Sequence, residues 1–258
     1  MSILGLTVLQ VLLLSVATAE DHHVLFLKNR CSFPIWPTFS FSPLLPTNLS
    51  LAPNSAPYRV VVPEPRWQNQ IWARTGCNEN GTQCETGVCT HKKDRLCLAP
   101  TPVTRAYFAF DGAFRGYAIN GTNYEVQLAN GFNVPLVIIP GRYNKADSDC
   151  KVVGCFSDVK AHCPSELAGR NAAGKVISCK SPCEVFDTEY YCAKGRYLDN
   201  LHTNEWNPEY RAVFNSSCPH VGNYFGKYSY YLRDPYSVTT QTCTDEGANR
   251  GQFTIQFC

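Results

Sequence analysis

The sequence predicts an all-β fold, a sandwich or barrel of short strands, joined to a disulfide-rich lobe with short helices. Three observations lead there. Apolar runs of four to seven residues recur between turn residues along most of the chain. The 14 Tyr and 14 Phe are set among 17 Gly and 17 Pro, the composition of short strands joined by turns. Fourteen cysteines follow an apolar leader, and an even count in an exported chain reads as a disulfide framework.

The elements follow in chain order. Residues 3–16 are apolar and uncharged, and Ala17-Thr18-Ala19 supplies the small-x-small pattern of a signal peptidase site. Asp21 and two histidines follow at once, so the stretch falls short of the ~20 apolar residues that span a bilayer. Residues 1–19 are therefore expected to be a removed signal peptide, and the product a secreted, extracellular protein with no transmembrane anchor. Val24–Asn29, Tyr58–Val62, Gln70–Arg74, Ala106–Phe110, Tyr117–Ile119, Tyr124–Leu128 and Val134–Ile139 read as strands. Gln252–Phe257 alternates polar and apolar residues as a half-buried strand does. Between 150 and 218 the strand pattern fades and seven cysteines crowd together. Ser181-Pro182-Cys183-Glu184 is a helix start with Ser as N-cap and Pro at N1. Asn207-Pro208-Glu209 is a second, with Tyr210, Val213 and Phe214 on one face.

Composition removes several functions. A net charge of +2 with no basic block argues against nucleic acid. There is no Gly-x-Ser-x-Gly, phosphate loop or His-Glu-x-x-His, and His91, His162, His202 and His220 are scattered. No cofactor is implied. Four sequons, at Asn48, Asn80, Asn120 and Asn215, agree with export and mark candidate N-glycans. Removal of residues 1–19 would leave Glu20-Asp21-His22 at the amino terminus. A free amine, two amides and the His22 imidazole can hold Cu(II) in a square plane, although an incidental histidine at a frayed end is the simpler reading.

Several segments, read together, resemble one family. They are Asn29-Arg30-Cys31, Ile71-Trp72-Ala73-Arg74-Thr75-Gly76-Cys77, Gly131-Phe132-Asn133-Val134-Pro135, Cys163-Pro164, Cys183-Glu184-Val185-Phe186, Cys218-Pro219 and Phe253-Thr254-Ile255-Gln256-Phe257-Cys258. In this order they are similar to the thaumatin family, the pathogenesis-related group 5 proteins. The resemblance implies an antiparallel β-sandwich core over roughly 24–74, 105–156 and 219–258. A small loop lobe (75–104) and a disulfide-rich helical lobe (157–218) complete a thaumatin-like domain over 20–258. It also implies the pairs Cys31–Cys258, Cys77–Cys84, Cys89–Cys97, Cys150–Cys243, Cys155–Cys218, Cys163–Cys179 and Cys183–Cys192. The family usually carries two further cysteines. Ala193 stands where one would be and its partner is also absent, so no thiol is orphaned or left over for zinc or nucleophilic chemistry. A Cys183–Cys192 bridge needs Cα atoms within ~7 Å. Nine residues of straight helix would span ~13 Å, so the helix from Pro182 must stop or turn back.

The family's feature is an acidic cleft between sandwich and helical lobe, associated with antifungal action, β-1,3-glucan binding and, in some members, weak glucanase activity. This chain departs from that set. The arginine position falls near Pro100, the glutamate is Tyr107, and the aspartates are Glu125, Asn130 and Arg233, with Asp234 beside the last. Hydrolysis needs two facing carboxyls, and only Glu125 and Asp234 are candidates. Arg233 would pull a neighbouring carboxyl the wrong way for a general acid. Glu125 reads alternatively as a solvated strand residue. Carbohydrate binding needs an aromatic ring and a few polar groups, which Tyr107, Tyr124, Phe132, Tyr228 and Tyr230 could supply. The resemblance thus implies a monomeric defence-type protein binding a microbial cell-wall β-glucan or other surface ligand through Tyr107, Tyr124, Glu125, Phe132 and Asp234. The alternatives are a weak endo-β-1,3-glucanase, or an inhibitor of secreted glycoside hydrolases that meets its protein target through the insertion at 222–227.

Overall fold

The structure is a computed structural model. It describes residues 22–40, 44–46, 48–62, 67–88, 91–93, 96–98, 102–111, 113–114, 117–118, 121–129, 131–142, 150–192, 195, 208–219, 221, 240–244 and 251–258. In chain order the first strands are β1 (Val24–Asn29), β2 (Trp36–Phe39), β3 (Tyr58–Val61), β4 (Gln68–Arg74), β5 (His91–Lys93) and β6 (Leu96–Leu98). Then come β7 (Arg105–Phe110), β8 (Ala113–Phe114), β9 (Tyr117–Ala118), β10 (Thr122–Gln127), β11 (Leu136–Arg142) and β12 (Val153–Gly154). The last four are β13 (Ala168–Arg170), β14 (Val176–Cys179), β15 (Gln241–Cys243) and β16 (Gln252–Phe257).

Ten of these strands form two five-stranded sheets, ordered β12-β11-β16-β1-β3 and β15-β10-β7-β4-β2. Every pairing in them is antiparallel except one: β1 and β16 run parallel, with Leu25 opposite Phe253 and Leu27 opposite Ile255. The two sheets bury one core because each strand alternates. Leu25, Leu27, Leu136, Ile138, Phe253 and Ile255 come from the first, and Ile71, Phe108, Phe110, Tyr124 and Val126 from the second. Phe253 bridges the layers, edge-on to Phe108 at 5.4 Å and tilted against Tyr124 at 5.2 Å.

Two strands carry proline. Pro37 lies in β2, at a sheet edge, where a missing N–H breaks no ladder. Pro140 lies in β11 where the register slips against β16, a bulge that tolerates it. The 150–218 region keeps more strand than its sequence suggests, since β13 and β14 pair as a hairpin. It also holds a 3-10 turn (Val159–His162) and two α-helices, α1 (Pro182–Phe186) and α2 (Pro208–Ser217). The α1 N-cap is Ser181, whose Oγ accepts from Glu184 N. Asp187, at φ 44°, ends the helix, and the chain doubles back so that Cys183 and Cys192 lie 4.6 Å apart at Cα.

Six disulfides join described residues: Cys31–Cys258, Cys77–Cys84, Cys150–Cys243, Cys155–Cys218, Cys163–Cys179 and Cys183–Cys192. Cys89 lies outside the described residues, and with it the Cys89–Cys97 pair. Among the described residues no helix is long and apolar enough to cross a membrane.

Candidate functional site

Alternation divides the second sheet into two faces. Phe108, Tyr124 and Val126 enter the core, so Arg105, Tyr107, Asn123, Glu125 and Gln127 take the opposite face. Register sets Gln70, Tyr107 and Glu125 side by side across β4, β7 and β10. Thr240, just before β15, donates its hydroxyl to Glu125 Oε2 at 2.7 Å, and Gln127 Nε2 donates to Oε1. Arg105 Nη1 donates to Gln70 Oε1 at 2.8 Å. Thr242 Oγ1 donates to Asn123 Oδ1 at 2.6 Å. Over β7 and β10 this sheet face thus carries a row of amides and hydroxyls around two charges of opposite sign, Arg105 and Glu125.

These charges are deep in the molecule. Glu125 is 3% exposed and Arg105 4%, whereas Tyr107, Gln127, Thr240 and Thr242 are half-buried. Glu125 is therefore no solvated strand residue. Both its oxygens accept side-chain hydrogen bonds, and it is the single carboxylate on the five strands of its sheet. A general acid must present a proton to its leaving group, and glycoside hydrolysis needs a second carboxyl opposite. The strands supply neither. On β7 and β10 this face does supply neutral donors and acceptors beside the Tyr107 ring, the equipment for orienting sugar hydroxyls.

Two of the aromatics expected here are elsewhere. Tyr124 is fully buried, its ring against Phe108 and Phe253 and its hydroxyl donating to Lys151 O at 2.6 Å. Phe132 is also fully buried. Its N–H and C=O pair with Cys179, which fastens β14 to the sandwich, and the Lys160 ammonium sits 5.2 Å from its ring centre. Neither presents a face to a sugar. Tyr107 does stand on the polar face, in line with Glu125. Asp234, Tyr228, Tyr230, Arg233, Pro100, Asn130 and the 222–227 insertion lie outside the described residues. Sequence reasoning missed Gln70, Arg105, Gln127 and Thr240. The signal was available in the first three, which share the strand parity of Tyr107 and Glu125 once register is known.

The site is framed by a buried polar hub at Asn133, 1% exposed. Its Nδ2 donates to Ala73 O and Thr86 Oγ1, both at 2.9 Å, while Oδ1 accepts from Thr104 N and Val134 N. Its carbonyl accepts from Lys160 Nζ. Burial pushes the Lys160 ammonium below the usual lysine range, with Asp158, 3.0 Å away, opposing. Asn133 therefore ties the strand face, the loop at Thr86 and the helical lobe together.

Among the described residues no group of three His, Cys, Asp or Glu side chains could hold a metal. His22 is exposed, with Glu20 and Asp21 outside the described residues. His23 is buried, its Nε2 3.1 Å from Asp111 Oδ2 and its ring stacked on Phe110. Asn48, Asn80 and Asn215 are exposed, and Asn120 lies outside the described residues.

Comparison with known proteins covers nearly the whole chain. A family model described as the thaumatin family matches residues 29–258. Thaumatin-like protein 1 of Arabidopsis thaliana is 32% identical, over 93% of this chain and 87% of that protein. Pathogenesis-related thaumatin-like protein 3.5 of Cryptomeria japonica is 33% identical, over 100% of this chain and 99% of that one. A Prunus avium protein named glucan endo-1,3-beta-glucosidase is 31% identical, over 90% of this chain and 88% of its own.

Proposed function

The chain belongs to the thaumatin family, whose members are defence proteins, and on that premise we propose that this one is exported and binds a neutral microbial β-glucan. The ligand lies over the polar face of β7 and β10. One observation carries the reading: Glu125 and Arg105 are hydrogen-bonded into an amide network, and half-buried Tyr107, Gln127, Thr240 and Thr242 rim them. Such a face offers no net charge to an ionic ligand and many partners to hydroxyl groups. The apolar leader and the disulfides support export. The glucanase name of the Prunus avium relative makes a β-1,3-glucan the ligand to try first.

Binding is favoured over hydrolysis because the strands provide one carboxylate and its oxygens are both engaged. Isothermal titration of the secreted protein with a β-1,3-gluco-oligosaccharide tests the reading. Heat of binding is expected, with affinity reduced about tenfold by Tyr107→Ala, the loss of one stacking ring. A silent titration, or a Tyr107→Ala protein of unchanged affinity, overturns it. Release of reducing sugar that Glu125→Gln abolishes would replace binding with hydrolysis.

A further inference from the structure

The disulfide-rich lobe carries a second group of aromatic side chains, away from the strand face. Phe186 is the last residue of α1, and the turn forced by Asp187 brings Tyr190 and Tyr191 back beside it. Tyr210, in the first turn of α2, completes the group. The Phe186 and Tyr191 ring centres are 4.6 Å apart, Phe186 and Tyr210 5.7 Å, and Tyr191 and Tyr210 5.8 Å. Tyr190 stands edge-on to Tyr191 at 5.0 Å. All four rings are half-buried: Phe186, Tyr190 and Tyr210 rest on the core, and Tyr191 rests on them.

Among the described residues, the charged groups at or next in sequence to this patch are mainly acidic. Tyr210 donates its hydroxyl to Glu166 Oε1 at 3.0 Å, and Glu166 is exposed. Hydrogen bonds from its own backbone, Tyr210 and Ser165 hold its carboxyl below the usual range, so it stays ionised in weak acid. Asp187 and Glu189, the exposed carboxylates that adjoin Phe186 and Tyr190 in sequence, add to it, with Arg211 next to Tyr210 as the opposing charge. Half-exposed rings accept the C–H face of a pyranose. Rings and carboxylates together accept a cation, through the ring faces and through ion pairs. We propose that this patch is a second carbohydrate surface, built for a glycan whose sugars carry protonated amino groups. It is independent of the strand face and of the ligand proposed there.

Calorimetry of the full secreted protein with a β-linked glucosamine oligomer, in mildly acidic buffer, tests it. The N-acetylated oligomer of the same length and a neutral gluco-oligosaccharide are the comparisons. The amino oligomer should bind, and Tyr191→Ala and Glu166→Gln should each weaken it about tenfold. Glu166→Gln alters an exposed side chain, so its fold is safe. Glu79→Gln, an exposed carboxylate of the small loop lobe, should leave affinity unchanged. Equal binding of the acetylated oligomer, a Glu79→Gln effect as large as that of Glu166→Gln, or no binding at all would each refute the assignment.

Discussion

Asn133→Ala removes four hydrogen bonds at one buried point. Thr104 N and Val134 N lose their acceptor, and Ala73 O and Thr86 Oγ1 lose their donor. Each bond contributes roughly 1 kcal/mol net, and an orphaned buried partner costs about 1–3 kcal/mol. The alanine protein should therefore lose about 4 kcal/mol, a large share of the ~5–15 kcal/mol that stabilises most domains. Asn133→Asp keeps the volume and changes the sign of the contact, since a carboxylate oxygen then faces the Ala73 carbonyl. Burial raises the pKa of such an aspartate above its unfolded value of ~3.9, while a protonated carboxyl can donate to Ala73 O. The folded state then binds the extra proton, so stability is gained as pH falls through the folded pKa. Guanidinium unfolding with disulfides intact, followed by emission of buried Trp36, Trp67 and Trp72, measures both effects. An alanine loss below about 1 kcal/mol, or an aspartate protein as stable at neutral pH as in acid, would refute the hub.

Further outcomes follow from the same structure. Joint replacement of Cys31 and Cys258 by serine should cost about 5 kcal/mol in the chain-entropy account, because the bond spans 227 residues; calorimetric melting of the variant checks it. Tyr124→Phe should cost about 1 kcal/mol, leaving Lys151 O without its donor while the ring packing stays, as denaturant midpoints would show. The folded state gives up the Lys160 proton at lower pH than the unfolded chain, so this lysine's contribution to stability rises with pH through that interval. Wild-type stability relative to Lys160→Met should thus climb as pH rises towards the unfolded lysine value of ~10.4, and a flat or falling difference would contradict the burial.

Much of the sandwich can be read from alternation, because a strand with one buried face must repeat every two residues. Val24–Asn29 and Gln252–Phe257 are clear for that reason, but nothing local says that they lie side by side in parallel. β2 is hidden by Pro37, which only an edge position permits. The candidate site was half legible. Tyr107 and Glu125 belong together because they are cross-strand partners, a relation of register rather than sequence. Tyr124 and Glu125 are neighbours in one strand, so they cannot share a face, and strand parity alone assigns the tyrosine to the core. Phe132 gives no such warning, since its burial depends on an isolated pairing with Cys179 across the lobe boundary.

The parallel neighbours β1 and β16 set a timetable for synthesis. β16 fills the centre of its sheet, between β11 and β1, yet it is translated long after β1 has left the ribosome. Until then β1 has one open flank, and the Cys31 thiol, the first made, must wait while the cysteines from Cys77 to Cys243 emerge without settling on the wrong one. Productive maturation of this protein is consequently a contest between patience at Cys31 and premature cross-linking, in which disulfide-shuffling catalysts should matter more than local helix or hairpin formation.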